Sequence, residues 1–202
     1  MQEPGGGFPF SSAAPQRVEP GRDLAEEGRE NKEGPLPETV RILGIDPGLR
    51  RTGWGLIAAT GSRVQFIASG AVEPPQKAAL AERLCALADG LDRLLTEHRP
   101  DEAAVEETFV NRDPRSALKL GQARGVCLLA PARHNLPVAE YAANQIKKSV
   151  VGAGHAAKEQ VGAMVSHLLP GSRAETADAA DALAIALCHA FHRKAQNLKV
   201  RA

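Results

Sequence analysis

No stretch of this 202-residue sequence is long and apolar enough to cross a membrane, which takes roughly 18 consecutive apolar residues. Cysteine is scarce: Cys85, Cys127 and Cys188 stand far apart, each within an apolar helical pattern. Their odd number and the absence of a CxxC pair exclude a disulfide framework and a zinc site. All three are expected as reduced core residues of a cytoplasmic protein. The histidines at 98, 134, 155, 167, 189 and 192 show no metal-ligand spacing either. No internal repeat is visible. The N-terminal residues have neither the apolar segment of a secretory signal nor the acid-poor composition of an organellar transit peptide. What is present, 43% hydrophobic and 24% charged residues, suits one globular domain with some extra chain.

The net charge of +1 hides an uneven distribution. Residues 1–39 hold Arg17, Arg22, Arg29 and Lys32 against eight acidic residues, leaving 21 basic and 16 acidic residues to the remainder. Between Val110 and Arg173 nine Lys and Arg face only Asp113, Glu140 and Glu159. DNA carries one charge per about 1.7 Å of axis, and a basic second half provides the surface such a polyanion requires. Charge alone fits a mildly positive solvated surface equally well.

Residues 1–39 are rich in Gly, Pro, Glu and Arg, and Phe8 and Phe10 are the only aromatic side chains they offer to bury. A disordered extension is expected there, followed by one domain over 40–194 and a short tail over 195–202. VRILGID (40–46) reads as a buried strand. WGLIAAT (54–60) and RVQFIASGAV (63–72) follow as two more, joined at Gly61-Ser62 into a meander. Leucines at 80, 84, 87, 91, 94 and 95 mark one face of a helix over 77–98. EAAVEE (102–107) is a fourth strand with carboxylates at its end. Asp113-Pro114 opens a second helix, and LPVAEYA (136–142) is a fifth strand. Two helices follow, over 156–169 and 176–194, the last apolar nearly all round and hence buried. The order β-β-β-α-β-α-β-α-α predicts an α/β protein with a mixed five-stranded sheet flanked by helices, the order of the ribonuclease H-like fold.

Four acidic positions stand where apolar residues would be cheaper. Asp46 ends the first strand, and Glu106 and Glu107 end the fourth. Asp178 and Asp181 are separated only by alanines, and three residues apart on a helix they share one face. Ionised carboxylates are seldom buried unless paired or bound to metal. Hard oxygen ligands converging from strand ends and a helix suit Mg²⁺, and two such ions suit phosphodiester hydrolysis. Singly, each residue has a plainer explanation: Asp46 as a turn aspartate before Pro-Gly, Asp178 as a helix-dipole partner in a first turn, Asp181 as a surface position, and one of the two glutamates as merely solvated. Their joint occurrence carries the argument.

GIDPGLRRTGWG, VEETFV, SALKLGQARGV, EYAANQIKKSVVGAG and ADAADALAIAL, in this order and spacing, closely resemble the RuvC family of Holliday-junction resolvases. The resemblance spans about residues 41–192. It implies a magnesium-dependent endodeoxyribonuclease, with Mn²⁺ as a substitute, that nicks four-way DNA junctions in recombination and repair. The metal-binding catalytic positions map to Asp46, Glu106, Asp178 and Asp181. Glu106 is preferred to Glu107 because it directly follows the apolar strand residue of the family pattern. Phe109 matches an aromatic that contacts bases near the crossover, and Lys147 and Lys158 match basic residues on the phosphate backbone. The resemblance further implies a two-fold homodimer and a RuvA–RuvB branch-migration partner. The extension before Val40 departs from the family, whose members begin near the first strand.

Two other classes compete. Asp46-Pro47-Gly48 with Thr52-Gly53 loosely fits an actin or sugar-kinase type ATPase, which needs a second domain and phosphate loop that about 160 folded residues cannot supply. A junction-binding protein without nuclease activity would avoid four carboxylates facing DNA.

Overall fold

β1 (Thr39–Asp46) is apolar on both faces because both are covered, and its long apolar run is the mark of a central strand. It pairs antiparallel with β2 (Thr52–Thr60), which pairs antiparallel with β3 (Arg63–Val72). β4 (Glu102–Glu107) adds parallel to β1, and β5 (Val138–Ala142) parallel to β4. The spatial order is β3-β2-β1-β4-β5, the expected mixed five-stranded sheet. The computed structural model describes residues 38–107, 113–172 and 176–200, excepting the side chains of 194–200. Most of the expected N-terminal extension therefore lies outside the described residues. No helix among the described residues is long and apolar enough to cross a membrane.

Period-two alternation splits the core into two layers. Leu43 and Ile45 point to one face, with Leu56 and Val105, where α1 (Leu80–His98) and α2 (Pro114–Arg133) pack. Trp54, expected as a strand residue, lies partly buried against this layer. Ile42, Ile57 and Ala104 point to the other face, under α3 (Ala143–Val151), α4 (Lys158–Leu168) and α5 (Ala177–Val200). α1 ends where Arg99 takes a left-handed φ of 44° just before Pro100, whose ring disfavours a helical preceding residue. α2 starts at Asp113, whose carboxylate accepts hydrogen bonds from the Arg115 and Ser116 amides at 3.1 and 3.2 Å.

α5 is the central helix. Residues 182–188 are all fully or almost fully buried, as an apolar perimeter requires. It lies unusually close to the sheet because the strands beneath it carry glycine. A Cβ on Gly44 would fall 2.1 Å from the Ala182 carbonyl oxygen, and one on Gly53 would fall 2.2 Å from that of Asp178. From its midpoint onward His189 bridges Tyr141 Oη and Glu102 Oε2, both at 2.8 Å, and Arg193 Nε donates to Glu102 Oε1 at 2.6 Å. That network ties α5 to β4 and β5. Burial holds the His189 imidazole below its ordinary pKa, with Glu102 opposing.

Three expectations need correction. A third helix, α3, occupies ANQIKKSVV between β5 and α4. Its only buried residues, Ile146 and Val150, form one i, i+4 pair, too little periodicity to register in nine residues. α5 continues to Val200 instead of ending at Lys194. Cys127 and Cys188 are buried, but Cys85 is exposed: the α1 face that packs on the sheet is set by Leu87, Leu91, Leu94 and Leu95.

Candidate active site

The same alternation that sorts the core aims the carboxylates. Ile42 and Gly44 face α5, so Asp46, two residues on, faces it too. β4 runs parallel to β1 with Ile45 opposite Val105, and Ala104 faces α5. Glu106 therefore shares that face at the same end of the sheet, whereas Glu107 points the other way and is exposed. From above, the first turns of α5 bring down Asp178 and Asp181. Asp46, Asp178 and Asp181 each place a carboxylate oxygen within 4.8 Å of the others. Glu106 falls outside that trio and stands beside it, lining a cleft of about 240 Å³ with Lys147, Lys158 and Asp181. Phe109 lies outside the described residues.

The electrostatics follow from that crowding. Burial, then Glu106, Asp181 and Asp178, push the Asp46 carboxyl from 3.8 up to about 7, opposed by Lys158. Glu106 is raised as well, first by burial and then by Asp181, with Lys147 and Lys158 lowering it. Lys158 Nζ lies 2.5 Å from Asp181 Oδ2, and that hydrogen bond raises the lysine's own pKa. Four carboxylates, countered directly by Lys158 at Asp181 and by Arg51 3.6 Å from Asp178, carry more negative charge than these two cations neutralise. A hard divalent cation resolves this, and all-oxygen donors from a strand end and a helix are the set such an ion takes.

Sequence reasoning missed two residues. Thr52 is fully buried, donating to the Gly48 carbonyl at 2.7 Å and accepting from the Gly48 amide at 3.3 Å. It pins the turn after Asp46. In the sequence it stood out only as half of the Thr52-Gly53 pair that loosely fits an ATPase phosphate loop. Arg51 places Nη1 3.6 Å from Asp178 Oδ2 and was hidden among the basic residues of its turn.

An α/β sheet of this topology, with carboxylates gathered at the end of its central strand, defines a ribonuclease H-like protein with a candidate metal-dependent active site. Residues 42–189 match the family model described as Crossover junction endodeoxyribonuclease RuvC. A protein of that name from Paramagnetospirillum magneticum is 62% identical over 163 residues, covering 81% of this chain and 98% of its own. Its counterpart from Bradyrhizobium diazoefficiens is 57% identical over 167 residues, covering 83% and 95%. Among solved structures, T. thermophilus RuvC in complex with Holliday junction substrate superposes with a TM-score of 0.73 at 35% identity, covering 78% of this chain and 96% of that one. The chain belongs to the RuvC family.

Proposed function

We propose that this protein resolves Holliday junctions in homologous recombination and repair, making paired symmetric nicks by Mg²⁺-dependent phosphodiester hydrolysis. Family membership supplies the reaction class. The observation that carries the site is the convergence of Asp46, Asp178 and Asp181 within 4.8 Å beside a lysine-lined cleft. Asp46, Glu106, Asp178 and Asp181 would hold the ions, with Mn²⁺ able to substitute. A bound pair of Mg²⁺ ions supplies Lewis-acid charge to the scissile phosphate. Lys147 and Lys158 bind the phosphates of the strand and orient it across the carboxylates. Asp46, with its pKa near 7, gives up a proton when the site is loaded. Phe109, assigned by the family pattern alone, stacks on a base opened at the crossover.

Two matched nicks need two active sites related by a two-fold axis, so the working unit is a homodimer. α2 offers the surface for it: Leu118 is 66% and Leu129 55% exposed. A Cβ at Gly121 or Gly125 on the same helix meets nothing within 4 Å. Large exposed leucines beside open glycines leave room for a second copy of the helix. The family also implies a RuvA–RuvB partner and a bacterial cytoplasmic setting.

The deciding experiment incubates purified protein with labelled four-way junction or linear duplex, in Mg²⁺ or in chelator. Paired nicks on the junction alone, abolished by chelator, are expected. Junction binding without cutting would instead make the protein a non-catalytic binder.

A further inference from the structure

The lysine cleft flanks the carboxylates on one side only. Its walls are α3, α4 and the end of β4, and it reaches Asp181 and Glu106. A second cleft, of about 320 Å³, opens on the β2–β3 side of β1 and reaches Asp178. Arg50, Arg51, Glu73 and Gln76 complete its lining.

This second cleft is braced from several directions. Gln76 Nε2 donates to the Arg50 carbonyl at 2.8 Å, and Arg83 Nη2 donates to the Leu49 carbonyl at 2.9 Å. Thr52 holds Gly48 from within. The turn carrying the two arginines is thus fixed through three successive carbonyls. Arg51 is in turn oriented by its own side chain: Nε donates to Glu73 Oε1 at 2.7 Å. Nη1 stands 3.6 Å from Asp178 Oδ2, beyond hydrogen-bond length. Among the described residues the terminal nitrogens make no hydrogen bond. A guanidinium clamped at Nε presents both terminal N–H groups as a fork, the geometry that matches two phosphate oxygens. The ion pairs explain little else, since exposed pairs add little to stability, and Arg51 and Glu73 side chains are 43% and 56% exposed.

We propose that Arg51, supported by Arg50, grips a phosphodiester neighbouring the scissile one, on the opposite flank of the carboxylates from Lys147 and Lys158. A strand crossing the active site has phosphates on both sides of the cut. Lysines hold one side, and the Arg51 fork holds the other. With both neighbours fixed, the scissile phosphate is positioned over Asp46, Asp178 and Asp181. The assignment rests on the resolvase reading, and the test separates the two.

Binding is measured with the full-length chain in an Asp46→Asn background, which prevents cutting, on four-way junctions and on linear duplex. A series of junctions carries one uncharged methylphosphonate at each of three phosphates on either side of the cut. With Arg51 intact, one flanking position should weaken binding roughly tenfold, the size of one charge-assisted contact. Adding Arg51→Ala should weaken binding to the unmodified junction by a similar factor, lower the salt slope by about 0.9, and abolish the penalty at that one position. Arg51→Lys should keep the salt slope and recover only part of the affinity. If Arg51→Ala leaves every methylphosphonate penalty as it was, Arg51 holds no phosphate and the proposal fails, even where cleavage drops. If the parent protein shows no preference for junction over duplex, the resolvase reading fails first, before any arginine variant is compared.

Discussion

The Lys158 ammonium stands 2.5 Å from the Asp181 carboxylate, so the residue matched to the DNA backbone also counters charge within the acidic cluster. Lys147 lines the same cleft, but the described residues include no ion pair for it. The two lysines should therefore respond differently to removal. Lys147→Ala and Lys158→Ala should each weaken junction binding and reduce the slope of log K on log salt by about 0.9. Lys158→Ala should in addition tighten Mg²⁺ binding without DNA, because Asp181 loses its cation. Salt-dependent anisotropy and Mg²⁺ calorimetry measure the two effects. An unchanged salt slope would place both lysines off the DNA path.

Asp46→Asn, Glu106→Gln and Asp178→Asn should each reduce cleavage by at least two orders of magnitude while leaving junction binding intact or improved, since each removes a negative charge from the DNA-facing edge. Glu107→Gln should retain most activity, because β4 turns that side chain away from α5. Cleavage and gel shift on the same preparations decide it. A dead Glu107→Gln beside an active Glu106→Gln would reverse the assignment.

That assignment shows how far the sequence could be read. Strand alternation could not separate Glu106 from Glu107 until β4 was registered against β1, because both faces of this sheet are buried and neither is marked as solvent. The pairing of Ile45 with Val105 settles the orientation. The five strands and the Leu-rich α1 were legible because their apolar patterns are long. α3 was not, since a single i, i+4 pair of buried residues, Ile146 and Val150, makes no period. Arg51 and Thr52 were invisible for a different reason: their importance depends on Glu73, Asp178 and Gly48, and only the fold brings Glu73 and Asp178 to Arg51.

Asp46 should make the metal-free protein less stable as pH rises. Its folded pKa of about 7 lies above the ordinary 3.8, so between these values the folded state holds a proton that the unfolded state releases. The associated stability is present at low pH and is lost as pH climbs through 7. In chelator, Asp46→Asn should melt above the wild type at pH 8, with the advantage shrinking towards pH 5. Mg²⁺ should raise the wild-type Tm more at pH 8 than at pH 5.5, where protons compete for the site. Parallel Tm-against-pH curves for the two proteins in chelator would show that Asp46 titrates normally.

Gly53 tests whether the approach of α5 to the sheet sets the geometry of the site. A Cβ there would lie 2.2 Å from the Asp178 carbonyl oxygen, 2.5 Å from its carbonyl carbon and 3.0 Å from its Cβ. β2 cannot retreat, because it is hydrogen-bonded between β1 and β3, with Gly53 opposite Asp46 and Ala71. The start of α5 must move instead, taking Asp178 with it. Gly53→Ala should cost about 1–3 kcal/mol, as overpacking does, while cleavage falls by well over tenfold. Gly44→Ala should cost more stability, since its Cβ meets the Ala182 oxygen at 2.1 Å and the Ala186 nitrogen at 2.7 Å, further along the helix where α5 is locked into the core. Gly162→Ala in α4 is the control: its Cβ meets nothing within 4 Å. That change should be neutral or stabilise by up to about 1 kcal/mol through helix propensity. Urea denaturation and Mg²⁺-dependent cleavage on all three variants separate the effects. A Gly53→Ala protein that cuts junctions at the wild-type rate would mean that the site tolerates a displaced Asp178, and that the glycine serves packing alone.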